Sequence, residues 1–223
     1  MKRSKTIVGV LAVALVLTLA GAAQAGFGDL ITGVGVAAID TDYFNNPATA
    51  AVNGNGLDGL GQHNTNDNGN VSWLSNAATP SWIRLDFGSV YNVGDLKIWN
   101  MNSNSHTEKG AREFDVYVRT TTETNNTDNS NVDFDSTGYT LVTSITEFPE
   151  GPTSPTYTGE TPIDLGGVGA RLLVIDITRT WRDADPNEVG LAEIQVFEAI
   201  PEPATVSLLL MGAAGLVARR RRK

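Results

Sequence analysis

The chain contains no cysteine. No disulfide can staple it, no thiol can act as a nucleophile, and no cysteine can carry a lipid or ligate a metal. Histidine is nearly absent too, with only His63 and His106. Both stand in polar loop sequence, and neither H-E-x-x-H nor G-x-S-x-G occurs, so these hydrolase signatures are missing. Positive charge is scarce in the middle of the chain. Of the 16 Lys and Arg, eight lie in the two ends; with Glu202 set aside, the body holds eight basic residues against 24 acids, near −16. A body that acidic repels nucleic acid and anionic membranes. Heptads, internal repeats and long helical periodicity are absent. The apolar runs occur only at the two ends.

The N-terminal end begins with Lys2, Arg3 and Lys5, continues as an apolar stretch from Ile7 to Ala20, and closes on Ala23-Gln24-Ala25. A positive start, an apolar centre and a small-x-small site make a secretory signal helix with cleavage after Ala25 by signal peptidase. An uncleaved anchor is the alternative. The C-terminal end reads Pro201-Glu202-Pro203, an apolar run from Ala204 to Ala218, then Arg219 to Lys223. As a helix, that run rises about 22 Å, short of the about 30 Å of a bilayer's hydrocarbon core. Basic residues after an apolar run stay cytoplasmic, so the body lies outside and the tail pauses in the membrane. A short span containing Gly212 and Gly215 suits a temporary transmembrane helix better than a permanent one. A plain tail anchor is the alternative.

Between the ends lies one domain's worth of chain, residues 26–199, large enough for a core without disulfides. Its pattern is short β-type runs separated by Gly, Asn, Pro and Asp. The clearest are Ser81 to Phe87, Asp95 to Met101, Arg112 to Arg119, Tyr139 to Ile145, Arg171 to Ile177 and Leu191 to Glu198, with Val34 to Ile39 weaker. In REFDVYVR, Phe114, Val116 and Val118 alternate with Glu113, Asp115 and Tyr117, which gives one buried face. RLLVIDI is apolar almost throughout, so it is expected in the centre of a sheet, covered on both sides. The expected fold class is all-β, a single antiparallel β-sandwich, flanked by the signal helix and the C-terminal helix. Trp73 and Trp82 are assigned to the core. The long Asn53–Asn70 stretch is expected to bind a ligand or ion, and Thr120–Ser136 to be a flexible surface loop.

Residues in this order look familiar: NGNGLDGLGQH, VSWLSN, PSWIRLDFG, YNVGDLKIWNMN, GAREFDVYVRT and EVGLAEIQVF. The body resembles the discoidin, or coagulation factor 5/8 type C, family of galactose-binding-like jelly rolls. Trp73 and Ser75 match its W-x-S; Trp82, Ile83, Asp86 and Gly88 match the next strand motif; Gly190, Leu191, Glu193, Ile194 and Val196 match the closing strand. Asn53-Gly54 stands where that family has Asp-Gly. The resemblance spans about Ala50 to Glu198. It implies one structural Ca²⁺ held by Asn53 and Asp58 from the glycine-rich loop and Glu193 from the last strand. It also implies a carbohydrate site on loops at one end, where an aromatic face and planar polar groups meet sugar hydroxyls. The candidates are His63, Trp99, Asn100, Asn102, His106, Arg112, Trp181 and Arg182. The tail resembles the PEP-CTERM sorting signal of Gram-negative bacteria, on Pro201, Glu202, Pro203 and the arginine block. That implies recognition and cleavage by an exosortase and transfer of the body to the outer surface or extracellular matrix.

The expected protein is non-enzymatic: an exported surface or matrix protein that binds a glycan or polysaccharide. A purely structural or adhesive matrix protein is the rival, and a hydrolase or enzyme accessory module the third reading. Asp183, Asp185 and Glu188 form the only carboxylate group that invites the third, and Asp and Glu beside Pro and Gly are usually turn formers.

Overall fold

In the computed structural model the described residues are 27–42, 46–65, 71–76, 79–104, 106–123, 133–182 and 188–200. The expected signal helix, the C-terminal helix and the processing residues Ala25, Pro201, Glu202 and Pro203 lie outside them. Among the described residues no helix is long and apolar enough to cross a membrane.

The body is all-β and antiparallel. Among the described residues it has seven strands: β1 (Gly35–Ile39), β2 (Trp73–Leu74), β3 (Ser81–Asn100), β4 (Ala111–Arg119), β5 (Thr140–Ile145), β6 (Ile163–Thr180) and β7 (Gly190–Glu198). Helical structure among the described residues is limited to short 3-10 turns, such as Ala48–Val52 and Thr107–Lys109. Strand order is β2-β7-β3-β6-β4-β5, with β1 on the free side of β3.

The sequence pattern reads Ser81 to Phe87 and Asp95 to Met101 as two strands. They are one, because the chain stays extended through a bend at Gly88, whose φ of 75° lets the strand turn without a side-chain clash. The first half of β3 pairs with β1 and with residues 172–177 of β6; the second half pairs with β7 and with residues 163–168 of β6. Both long strands therefore run through two layers. Ile83, Leu85, Leu173, Ile175, Phe114 and Val116 from one layer share a single buried cluster with Leu96, Ile98, Leu191, Val196 and Trp73 from the other. That is the sandwich the alternation in REFDVYVR points to. Six apolar strand residues at 0–1 % exposure show how completely the layers exclude water: Ile83, Leu85, Val93, Leu96, Ile98 and Val116.

Trp82 is buried, as assigned, in a second core cluster apart from the main one. It lies on the outer face with Arg84 and Asp86, in a small cluster with Ala38 and Val174 that Tyr117, Phe134 and Tyr139 cover. The end of the stretch read as a flexible loop thus has a packing role, because Phe134 lies 5.9 Å from the Trp82 ring and 5.2 Å from Tyr117. On the same face Asp115 and Asp176 stand opposite each other in register. Burial, and then the charges of Asp115 and Asp133, push the Asp176 carboxyl up to about 6.

The strand registers define two ends. Asn100 pairs with Leu191, Ala111 with Thr180, and Gly110 bridges Gly190, which gathers the β3–β4, β5–β6 and β6–β7 connections at one end. At the other, Val93 pairs with Glu198, and Ala199 donates its N–H to Asn92 O at 2.7 Å. Residues 27–31 also run along β7 at that end, with Ile31 N on Val196 O and Glu198 N on Asp29 O.

Candidate functional site

Every residue assigned from the sequence to a ligand or ion belongs to the loop end or the strand ends feeding it. They divide by depth. His63, Trp99, Asn100 and Asn102 are at 0–1 % exposure. His106, Arg112 and Trp181 are half-buried, and Arg182 is exposed.

The buried group is a polar network under a loop. Trp99 is on the outer side of its layer, as its alternation with Leu96 and Ile98 requires. There it packs with Tyr157, Ala192 and Leu57. Its indole N–H donates to Gly61 O at 3.2 Å, and Lys97 Nζ sits 4.5 Å from its ring. Burial pushes the Lys97 ammonium down. Gly159 lies against the same ring; with φ at 81°, any Cβ there would meet the Trp99 ring at 2.8 Å and Lys97 Cε at 3.1 Å. Asn100 ties three segments: its Nδ2 donates to Ala111 O and Pro149 O, both at 2.7 Å, and its backbone N donates to Tyr157 Oη at 2.9 Å. Tyr157 in turn donates to Glu160 at 2.8 Å, and burial together with that bond pushes its hydroxyl far up. Asn102 Nδ2 donates to His63 O at 3.2 Å and to Ser154 O at 3.5 Å. The four side chains assigned to sugar are thus turned to interior bonds and present no face to solvent in this structure. Tyr157 is the member sequence reasoning missed; its one signal was a lone tyrosine in a Pro/Thr/Gly-rich loop.

The open group is arranged differently. Arg112 lays its guanidinium 4.8 Å over the Trp181 ring. Trp181 is fixed by its indole N–H on Phe148 O at 3.0 Å, while Phe148 N donates to Arg112 O at 2.7 Å. Arg182 follows on the exposed side, and His106 opens the 3-10 turn that leads through Gly110 to Arg112. Lys109 pairs with Glu188 across the base of these loops. This half therefore offers a rigid ring edge, a planar cation and two further polar side chains on separate loops.

The three residues assigned to Ca²⁺ come only partly together. Glu193 is buried at 1 % exposure, opposite Trp99 in register. Both its oxygens face one backbone donor, Gly54 N, at 3.3 and 3.2 Å. Burial pushes its carboxyl up to about 8, a rise only partly offset by that N–H. Asn53 and Asp58 are exposed and bond within their own turns: Asn53 Oδ1 accepts from Asn55 N, and Asp58 Oδ1 accepts from Leu60 N and Gln62 N. Among the described residues no three His, Asp or Glu side chains are grouped as a metal centre. The W-x-S pair is structural as well: Trp73 is in the core, and Ser75 exchanges two hydrogen bonds with Val189.

Comparison with known proteins agrees with this architecture. Residues 61–150 match the model of the NedA-like, galactose-binding domain of the F5/8 type C group, and residues 199–223 match the PEP-CTERM protein-sorting motif. The family 32 carbohydrate-binding module of C. perfringens NanJ, solved with galactose, has a TM-score of 0.53 at 12% identity, over 77% of this chain and 98% of that one. A family 32 module from a family 31 glycoside hydrolase of Clostridium perfringens has 0.51 at 14% identity, over 76% and 93%. At these identities the likeness establishes the fold alone. A family 89 glycoside hydrolase of the same species has 0.48 at 20% identity; the match takes in 79% of this chain but 16% of that enzyme. A search of the curated proteins finds no match.

Proposed function

We propose that the body is a non-catalytic glycan-binding module, exported and delivered to the cell surface or extracellular matrix by exosortase processing of its tail. The observation that carries the reading is the Arg112–Trp181 stack at the loop end, with Arg182 and His106 on neighbouring loops. An aromatic edge supported by a planar cation, ringed by hydrogen-bonding side chains, suits a sugar ring and its hydroxyls. Matches of the two ends of such a reading, a galactose-binding-type domain and a sorting motif, occur in one chain.

A Ca²⁺ ion belongs to this proposal at Glu193. A buried carboxylate whose two oxygens share one N–H is short of partners, and a divalent cation supplies what a single amide cannot. For Asn53 and Asp58 to join, each has to release the bond in its own turn, which marks the site as weak. The test is a glycan array followed by titration calorimetry of the best ligand, with and without EDTA. Binding lost in Trp181→Ala, with an unchanged circular dichroism spectrum, supports the module. The rival is an adhesive matrix protein without a pocket. It is favoured by the burial of His63, Trp99, Asn100 and Asn102, and an array with no ligand, together with self-association of the body, decides for it.

A further inference from the structure

We propose that the outer face of the β1–β3–β6–β4 layer carries a cation site of its own, in which Asp40, Asp133 and Asp176 take a hard divalent ion of the Ca²⁺ class beside Trp82. The inference is independent of the glycan reading and of an ion at Glu193. It begins with buried oxygens that lack a bond. Among the described residues Asp40 Oδ1, Ser81 Oγ and Asp176 Oδ1 are enclosed and have no hydrogen-bond partner. Asp40 is at 2 % exposure and Ser81 at 0 %. Such atoms are rare in folded proteins, because a buried oxygen without a donor forfeits its hydration.

The strand registers bring these three together. Asp40 follows β1 and donates its N–H to Trp82 O at 3.1 Å; Trp82 pairs with Asp176, and Asp176 with Asp115. Ala38 belongs to the Trp82 cluster, so alternation turns Asp40, two residues on, to the same face. Burial pushes the Asp40 carboxyl up; Ser81 offsets part of the rise from outside hydrogen-bond geometry, and the charge of Asp133 adds to it. Asp133 reaches this row from the connection into β5, where its neighbour Phe134 lies 5.9 Å from the Trp82 ring.

The four carboxyls descend from solvent to interior. Asp133 is exposed, Asp115 and Asp176 are half-buried and Asp40 is enclosed, which gives an ion a way in. The nearby arginines are engaged with other acids: Arg84 and Arg119 with Glu123, Arg171 with Asp86, and Arg179 with Glu113. Asp115 accepts from Tyr117 Oη at 3.3 Å. Like charges on neighbouring strands repel, and a donor set made only of oxygens suits Ca²⁺ better than a softer metal. Among the described residues these carboxyls are not closed into a metal centre. Closing one asks most of Asp133, which stands on a connection and not beside or within a strand. An ion here stabilises the parent and Glu193→Gln alike, whereas one at Glu193 restores what the parent alone loses as the pH rises.

The test therefore uses the chain carrying Glu193→Gln. Titration calorimetry with Ca²⁺ is expected to find one site, and Tb³⁺ in its place to give luminescence sensitised by Trp82. Adding Asp176→Asn is expected to abolish both signals with an unchanged circular dichroism spectrum. Asp133→Asn changes an exposed position outside the strands, and is expected to weaken binding by roughly tenfold or more. Asp164→Asn removes the same charge at the far end of β6 and is expected to leave binding unchanged. An equal loss in Asp164→Asn, which marks general attraction to an acidic body, overturns the proposal. So does binding that survives both Asp133→Asn and Asp176→Asn, or the lack of any Ca²⁺ and Tb³⁺ signal, which leaves the buried oxygens to water.

Discussion

On one side of the loop end, His63, Trp99, Asn100 and Asn102 are buried and bonded within the protein; on the other, Trp181, Arg112, His106 and Arg182 keep access to solvent. The residue types are the same: a tryptophan, a histidine and planar polar side chains. The difference is a lid. The glycine-rich loop and the β5–β6 connection fold over the first group, and each covered polar atom must then find a partner inside. The open group is held by two backbone contacts through Phe148 and by stacking, which fixes the ring without enclosing it. A polar aromatic cluster is therefore framework where a loop can close on it and a candidate recognition surface where none does.

The sharpest way to break the comparison is at Glu193, the only acid in the covered half of the network that carries a strongly raised pKa through burial alone. Its carboxyl titrates near 4.5 when unfolded and at about 8 when folded. The folded state therefore holds the proton better. Stability of the cation-free protein is full below pH 4.5, falls as the pH rises toward about 8, and is flat above. A shift of that size corresponds to a loss on the order of 5 kcal/mol across the window. Glu193→Gln is expected to flatten the curve of melting temperature against pH. Millimolar Ca²⁺ is expected to restore stability to the parent and not to the variant, whereas a parent curve unchanged by EDTA counts against the ion.

Trp99→Ala comes next. It removes a fully covered indole together with its bond to Gly61 and its contact with Lys97, and is expected to cost about 3 to 5 kcal/mol in denaturant unfolding. Tyr157→Phe tests the network more gently. It strands the buried Asn100 N–H, and a loss of about 1 to 3 kcal/mol is expected. The smallest change in stability belongs to the open half. Trp181→Ala is expected to cost about 1 kcal/mol, while abolishing glycan binding. A loss in Trp181→Ala as large as in Trp99→Ala would erase the distinction between the two halves.

Much of this architecture is written along the chain. Period-two alternation at Phe114, Val116 and Val118 specifies a one-sided strand, and the mostly apolar stretch RLLVIDI, interrupted at Asp176, specifies a central one; both are found so, with β6 between β3 and β4. The Pro-Glu-Pro, apolar and arginine blocks of the tail are equally local, and they match a sorting motif without any need for a fold. The sequence by itself also provides glycines at 54, 56 and 61, and so a loop able to lie close against its neighbours. What it lies against was decided only in three dimensions. His63 meets Asn102 across 39 positions, Trp99 meets Gly61 across 38, and Gly54 meets Glu193 across 139. Trp82 likewise reads as core, and its burial depends on Phe134, from a stretch with no strand pattern at all. Alternation records which way a side chain points from its own strand. Whether water still reaches it depends on what a distant segment lays on top, and that is a property of the assembled fold.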